Sequence, residues 1–118
     1  MKIYTDGSKT RYCFLPEGEK PWIFDNPTGA TINQSEYLAI ISALIWYAHF
    51  GFRTPTSLEI LSDSEWAIKQ LNYQYKVKDG KAIILNHIAN RIRMLAGLQV
   101  SFVWIPREEN LAGEVLDV

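Results

Sequence analysis

Apolar and polar residues follow a two-residue repeat in some stretches of this chain and a three-to-four-residue repeat in others. At the start, Ile3 and Thr5 alternate with Tyr4, the period of a strand, and Asp6-Gly7-Ser8 reads as the turn that ends it. Two short apolar runs follow, over 12–15 and 21–24. Pro16-Glu17-Gly18-Glu19 separates them, so a hairpin is expected, with Asp25-Asn26-Pro27-Thr28-Gly29 as loop. Over 33–50 the rhythm becomes helical: Tyr37, Ile40, Ile41, Leu44, Ile45 and Ala48 share one face. Asn33 and Glu36 have the spacing of a capping box, and Gly51 is the stop. After Pro55, Leu58-Glu59-Ile60-Leu61 reads as a buried strand, and Ser62-Asp63-Ser64-Glu65 opens a short helix ending near Leu71. A second long helix is predicted over 81–96, with Ile84, Ile88, Ile92 and Leu95 toward the core and Gly97 behind it. Over 99–105, Val100, Phe102 and Trp104 alternate with Ser101 and Val103, the pattern of a strand. Pro106-Arg107-Glu108-Glu109 is loop, and Asn110 caps a very short last helix running to Val118.

The predicted order is β, β, β, α, β, α, α, β, α. That makes the chain an α/β domain, a five-stranded mixed sheet with helices packed on it. Its 118 residues suit one domain spanning 1–118. The strongest apolar stretch, over 37–50, is too short to span a bilayer, and Asp6 breaks any leader-like apolar run at the start, so no membrane partner is expected. With Cys13 as the one cysteine, an intrachain disulfide and a thiolate zinc cluster are excluded; a reducing, cytoplasmic setting follows as the expectation.

Three carboxylates stand where chemistry is placed in such folds. Asp6 follows the first strand, Asp63 follows the fourth, and Glu36 lies in the first turn of the first long helix. Ligands of mixed sheets collect beyond the carboxyl ends of strands. If strands one and four are adjacent and parallel, Asp6 and Asp63 are side by side, and a helix over that end brings Glu36 to them. Clustered carboxylates repel unless a cation joins them, and hard oxygen donors suit Mg²⁺ or Mn²⁺. Each residue also has a plainer explanation: Asp6 as a turn former, Glu36 as half of a capping box, Asp63 as a helix-dipole partner. Spacing alone does not choose between them.

Four segments in order do. Tyr4-Thr5-Asp6-Gly7-Ser8, Thr31-Ile32-Asn33-Gln34-Ser35-Glu36-Tyr37, Ser62-Asp63-Ser64 and Ile105-Pro106-Arg107-Glu108-Glu109-Asn110 resemble the ordered motifs of type 1 ribonuclease H, and the resemblance covers nearly the whole chain. It implies a ribonuclease H-like fold and hydrolysis of the RNA strand of an RNA/DNA hybrid, with two Mg²⁺ ions, or Mn²⁺ in their place, held by four carboxylates. Asp6, Glu36 and Asp63 match the first three. The fourth family position, four residues past the motif Asn, is Glu114, one methylene longer than the usual Asp and preceded by Gly113 where Ala is usual; Asp117 is one helical turn further on. The family's loop His is absent, since His49 and His87 fall inside predicted helices, and Arg107 stands in that loop. Lys9-Thr10-Arg11 replaces the usual glycine-rich run.

The resemblance also implies substrate contacts. Gly7, Ser8, Thr31, Asn33 and Ser64 match positions in or beside the motifs, while Ile32 replaces a usual Asn and Glu65 a usual Gln; Glu65 has the capping-box spacing from Ser62. The stretch 66–81 interleaves Trp66, Tyr73 and Tyr75 with Lys69, Lys76, Lys78 and Lys81, a composition suited to a groove that follows a sugar-phosphate backbone. Trp66, Lys76 and Lys78 are the expected contacts. The stretch is too short for the basic protrusion of longer members, so the chain looks like the short form. A formal net charge of −1 advertises no nucleic-acid binder. Setting aside the four site carboxylates, however, leaves nine acidic against 12 basic residues. The expected partner is an RNA/DNA hybrid, met by a single chain. Two other classes fit the same fold: a binding module in which the altered fourth position has ended cleavage, and a junction resolvase, which needs a different acidic pattern.

Overall fold

The computed structural model describes residues 1–50 and 57–117. Gly51 and Val118, read above as a helix stop and the end of the last helix, lie outside them, as does Pro55. The strands are β1 (Lys2–Gly7), β2 (Arg11–Pro16), β3 (Trp22–Asp25), β4 (Leu58–Ser62) and β5 (Val100–Trp104); the helices are α1 (Ile32–Phe50), α2 (Glu65–Leu71), α3 (Gly80–Leu95) and α4 (Leu111–Leu116), with a 3₁₀ turn at Arg107–Glu109. The sheet runs β3-β2-β1-β4-β5. The first three strands form an antiparallel meander, and β4 and β5 join β1 in parallel. This is the mixed five-stranded sheet that the sequence predicts.

The core lies between the sheet and α1, which packs on β1 and β2 and against α3. Ile3, Phe14, Tyr37, Ile40, Leu44, Leu58 and Ile60 are all buried there. By the usual area relation, each large apolar side chain so buried contributes about 1.5–3 kcal/mol. Ile45, placed on the core face by the sequence, is instead 53% exposed.

The face of α3 also differs from expectation. Ile84, Ile88 and Leu95 are exposed. The helix turns Ala82 and Ala89 inward, with Leu85 and Ile92 packed beside them. Both sets repeat at helical spacing. The one with small residues wins because two alanines let α3 approach α1 closely, which bulky isoleucines do not.

Three local expectations are corrected. β1 continues through Gly7, and Asp6 pairs with Cys13 inside the ladder, so Asp6 is a strand residue and not a turn former. The turn lies one residue on, where Ser8 N–H donates to Arg11 O. The box at the start of α1 is Thr31–Gln34, not Asn33–Glu36. Gln34 N–H donates to Thr31 Oγ1 and Thr31 N–H to Gln34 Oε1, both at 3.2 Å. At α2 the cap is Ser64, whose Oγ accepts from Ala67 N–H. Glu65 pairs with Lys69 at 2.6 Å rather than boxing with Ser62. Asn110 caps α4 as expected.

Candidate active site

The register of β1 on β4 decides where the carboxylates fall. Thr5 stands opposite Ser62 in a parallel pair, so Asp6, still in β1, and Asp63, just past the end of β4, come side by side. Glu36 reaches them because α1 meets β1 with almost no clearance at Gly7. A Cβ there would lie 2.5 Å from Glu36 N, which only glycine avoids. The ligand atoms of Asp6, Glu36 and Asp63 all lie within 4.8 Å of one another.

This cluster is short of partners. Asp6 is 2% exposed and Glu36 is 5%. Asp6 Oδ1 and Glu36 Oε2 are buried without a hydrogen-bond partner. With Thr31 and Gln34 forming the cap, Glu36 has no capping role to explain its burial. Asp63 is better served: Asn110 Nδ2 donates to its Oδ2 at 3.3 Å while also holding Thr5 O at 2.9 Å. Burial and the neighbouring Asp63 charge push the Asp6 carboxyl up to about 6. Burial, then Asp6 and Asp63, raise Glu36 well above the usual carboxylate range. Three oxygen-bearing side chains forced together, two with orphaned oxygens, are the donor set that a divalent cation satisfies.

Arg107 supplies positive charge at the rim. Its guanidinium lies 3.6 Å from Asp63 Oδ2 and 3.1 Å from Asp117 Oδ1, and it lowers the pKa of both Asp6 and Glu36. Glu114 is exposed and does not join the cluster. It lines an adjoining hollow of about 340 Å³ with Arg107, Asn110, Gly113 and Asp117. Asp117, the C-cap of α4, contributes to the negative field that raises Asp6.

A groove of about 780 Å³ runs past the first turns of α1 and α2. It brings together Thr31, Asn33, Trp66, Lys76 and Lys78, five of the residues the sequence marked for substrate. Trp66 is 59% exposed and packs against Tyr75, with ring centroids 5.2 Å apart. Lys69 sits over the same Tyr75 ring and hydrogen-bonds its hydroxyl at 3.1 Å. Gly7, Ser8 and Ser64 do not line the groove: Gly7 is packed against α1, Ser8 closes the β1–β2 turn, and Ser64 caps α2. Gln34, Gln70 and Gln74 line it and were missed. Their signal was the run of glutamines at 70 and 74 next to the lysines of the α2–α3 loop.

Cys13 is buried beside Asp6 in the ladder. Burial and the Asp6 and Glu36 charges push its thiol up to about 12, so it is an unreactive packing residue. Among the described residues no helix is long and apolar enough to cross a membrane.

No family model matches the sequence. Solved structures do. LC11-RNase H1, isolated from compost by a metagenomic approach and solved in complex with an RNA/DNA hybrid, is 26% identical over 98% of this chain and 91% of its own, with a TM-score of 0.81. RNase H1 from the halophilic archaeon Halobacterium salinarum NRC-1 is 25% identical over 98% of this chain and 92% of its own, with a TM-score of 0.79. The N-terminal RNase H domain of a Mycobacterium tuberculosis protein, at 22% identity and a TM-score of 0.77, shares the fold. The chain is thus similar to RNase H1 structures over nearly its whole length, and the loop of eight residues that joins α2 to α3 carries no protruding helix, consistent with a short form of type 1 ribonuclease H.

Proposed function

We propose that this chain is a divalent-cation-dependent endonuclease that hydrolyses the RNA strand of RNA/DNA hybrids. The observation that carries the reading is the trio of buried Asp6 and Glu36 with half-buried Asp63, two of its carboxylate oxygens orphaned, in a chain that also presents a basic and aromatic groove at the first turns of α1 and α2. The hybrid bound to LC11-RNase H1 supports the choice of substrate.

Asp6, Glu36 and Asp63 would hold the cations, Mg²⁺ or Mn²⁺, with Glu114 entering from α4 as the fourth carboxylate. Two such ions, when bound, would supply an activated water and stabilise the leaving oxygen of a phosphodiester. The protein's own part is positional. Asn110 fixes the Asp63 carboxylate, and Gly7 sets the depth of Glu36. Lys76 and Lys78 attract phosphates, and Trp66 offers a ring face for a sugar or base. Thr31 and Asn33 line the groove and would take polar groups of the substrate, among them 2′-hydroxyls. Gly7, Ser8 and Ser64 act by shaping the backbone around the carboxylates. The reading includes a single chain working in the cytoplasm.

One observation favours a second reading. Glu114 lies outside the cluster, as a module that binds hybrid with weakened cleavage would have it. A labelled RNA/DNA hybrid incubated with Mg²⁺, then Mn²⁺, separates the two. RNA-strand cleavage supports the enzyme. Retention of hybrid without cleavage in either metal supports the module, and cutting of branched DNA in place of hybrid overturns both.

A further inference from the structure

A chain of directed hydrogen bonds ends in the groove. It begins at Arg93, near the end of α3, whose guanidinium has donors only. Arg93 Nη2 donates to Asn90 Oδ1 at 3.2 Å. That fixes which end of the Asn90 amide is oxygen, and Asn90 Nδ2 donates to Asn86 Oδ1 at 3.1 Å and Asn86 O at 3.0 Å. With its oxygen committed, Asn86 donates through Nδ2 to the Tyr37 hydroxyl at 3.2 Å. The hydroxyl, receiving an N–H there, turns its own proton to Gln70 Oε1 at 2.6 Å. Tyr37 is 1% exposed, so its hydroxyl takes both partners from the protein, and the reversed order would set the Asn90 amide N–H against the donor-only Arg93 guanidinium.

Gln70 closes the sequence. Its oxygen is taken, and its Nε2 has no protein partner among the described residues. Gln70 lines the groove with Trp66, Lys76 and Lys78. We infer that Gln70 contacts the substrate as an obligatory donor, its amide N–H groups presented by the Arg93–Asn90–Asn86–Tyr37 relay to acceptor oxygens of a nucleic-acid backbone lying in the groove. The two lysines select the same chemistry, since phosphate and sugar oxygens accept and the strand is anionic. Tyr37, Asn86, Asn90 and Arg93 are positioning residues. The inference rests on the hybrid reading of the groove and adds to it a polarity: a group at position 70 that only accepts is excluded.

The test is fluorescence-anisotropy titration of an RNA/DNA hybrid in the Asp6→Asn background, where no strand is cut, with melting temperature measured in parallel. Gln70→Glu replaces donors by acceptors and is expected to weaken binding about tenfold or more. Asn90→Asp still accepts from Arg93 but no longer donates to Asn86, so the direction of the relay is lost. It is expected to melt within about 3 °C of the parent and to bind about three- to tenfold more weakly. Arg93→Lys, also a donor only, keeps parental affinity. Parental affinity in Gln70→Glu, or an Asn90→Asp variant that loses melting temperature and no affinity, overturns the inference. A parent that binds no hybrid overturns the proposed function and this inference with it. A parent that binds while Gln70→Glu binds equally overturns the inference alone.

Discussion

Replacing Asp6 by Asn should stabilise the metal-free protein, and only in one range of pH. The Asp6 carboxyl is shifted from 3.8 to about 6, first by burial and then by the Asp63 charge. At about 1.4 kcal/mol per pH unit, the ionised form carries a penalty of roughly 2–3 kcal/mol, nearer the lower figure once water at the open side of the site screens it. A group whose folded pKa lies above its unfolded value favours the fold fully below the unfolded value, here near pH 4. That contribution is lost as pH rises through about 6. Asparagine has no charge to lose, and its new N–H groups face the carboxylates of Glu36 and Asp63. The expected gap between variant and wild type is therefore close to zero near pH 4 and opens to about 5–10 °C in melting temperature by pH 7. Saturating Mg²⁺ should close it from the wild-type side, because a cation bound to the folded state alone adds stability. The assay is a set of melting curves for both proteins from pH 4 to 8, with chelator and then with Mg²⁺. A gap that stays constant with pH, or a wild type more stable than the variant at pH 7 in chelator, refutes the electrostatic account of the site.

Other predictions follow from the same geometry. Because Thr31 and Gln34 cap α1, Glu36→Gln should abolish hybrid cleavage without lowering the melting temperature, whereas Thr31→Ala should lower stability by about 1 kcal/mol; chemical denaturation and cleavage rates separate the two. Glu114→Gln should cut activity more than tenfold in Mg²⁺ and Asp117→Asn little, in line with Asp117 being held by Arg107; single-turnover kinetics in Mg²⁺ and Mn²⁺ decide it, and a damaging Asp117→Asn would move the fourth ligand one turn along α4. Replacing Lys76 and Lys78 by Ala should weaken hybrid binding and flatten its salt dependence by about one logarithmic unit of slope per lost phosphate contact, leaving turnover at saturation unchanged. Tyr73 sits at φ 60° and is 74% exposed, so Tyr73→Gly should leave stability unchanged or raise it by up to about 1 kcal/mol, as read by chemical denaturation.

The sheet was legible because strand signals are local. Alternation and turn residues mark each strand, and alternating helices make the later strands parallel. The neighbourhood of Asp6 and Asp63 followed from that topology. The cap of α1 was misplaced although its signal was present: Thr31-Ile32-Asn33-Gln34 carries the box pattern two residues before the one chosen, and the apolar rhythm alone does not fix a helix start. On α3 the chain offers two apolar stripes, and side-chain size suggested the wrong one; only the facing surface of α1 selects the alanines. The Arg93-to-Gln70 relay joins α3 to α1 and α1 to α2 across 49 and 33 residues of sequence, a separation no spacing rule reaches. Glu36 shows the same limit in reverse. Its spacing from Asn33 supplied an adequate local explanation, and only its burial beside two other carboxylates removed it.

The central claim is that Asp6, Glu36 and Asp63 form a cation-dependent centre for cutting RNA paired with DNA. The most direct measurement follows a hybrid labelled on both strands, with wild type and Asp63→Asn side by side in Mg²⁺ and in chelator. The account predicts that the wild type cuts the RNA strand alone and only with the cation, while Asp63→Asn leaves it intact and melts as a folded protein. An RNA strand left intact by the wild type in both Mg²⁺ and Mn²⁺, or cut at the wild-type rate by Asp63→Asn, would contradict it.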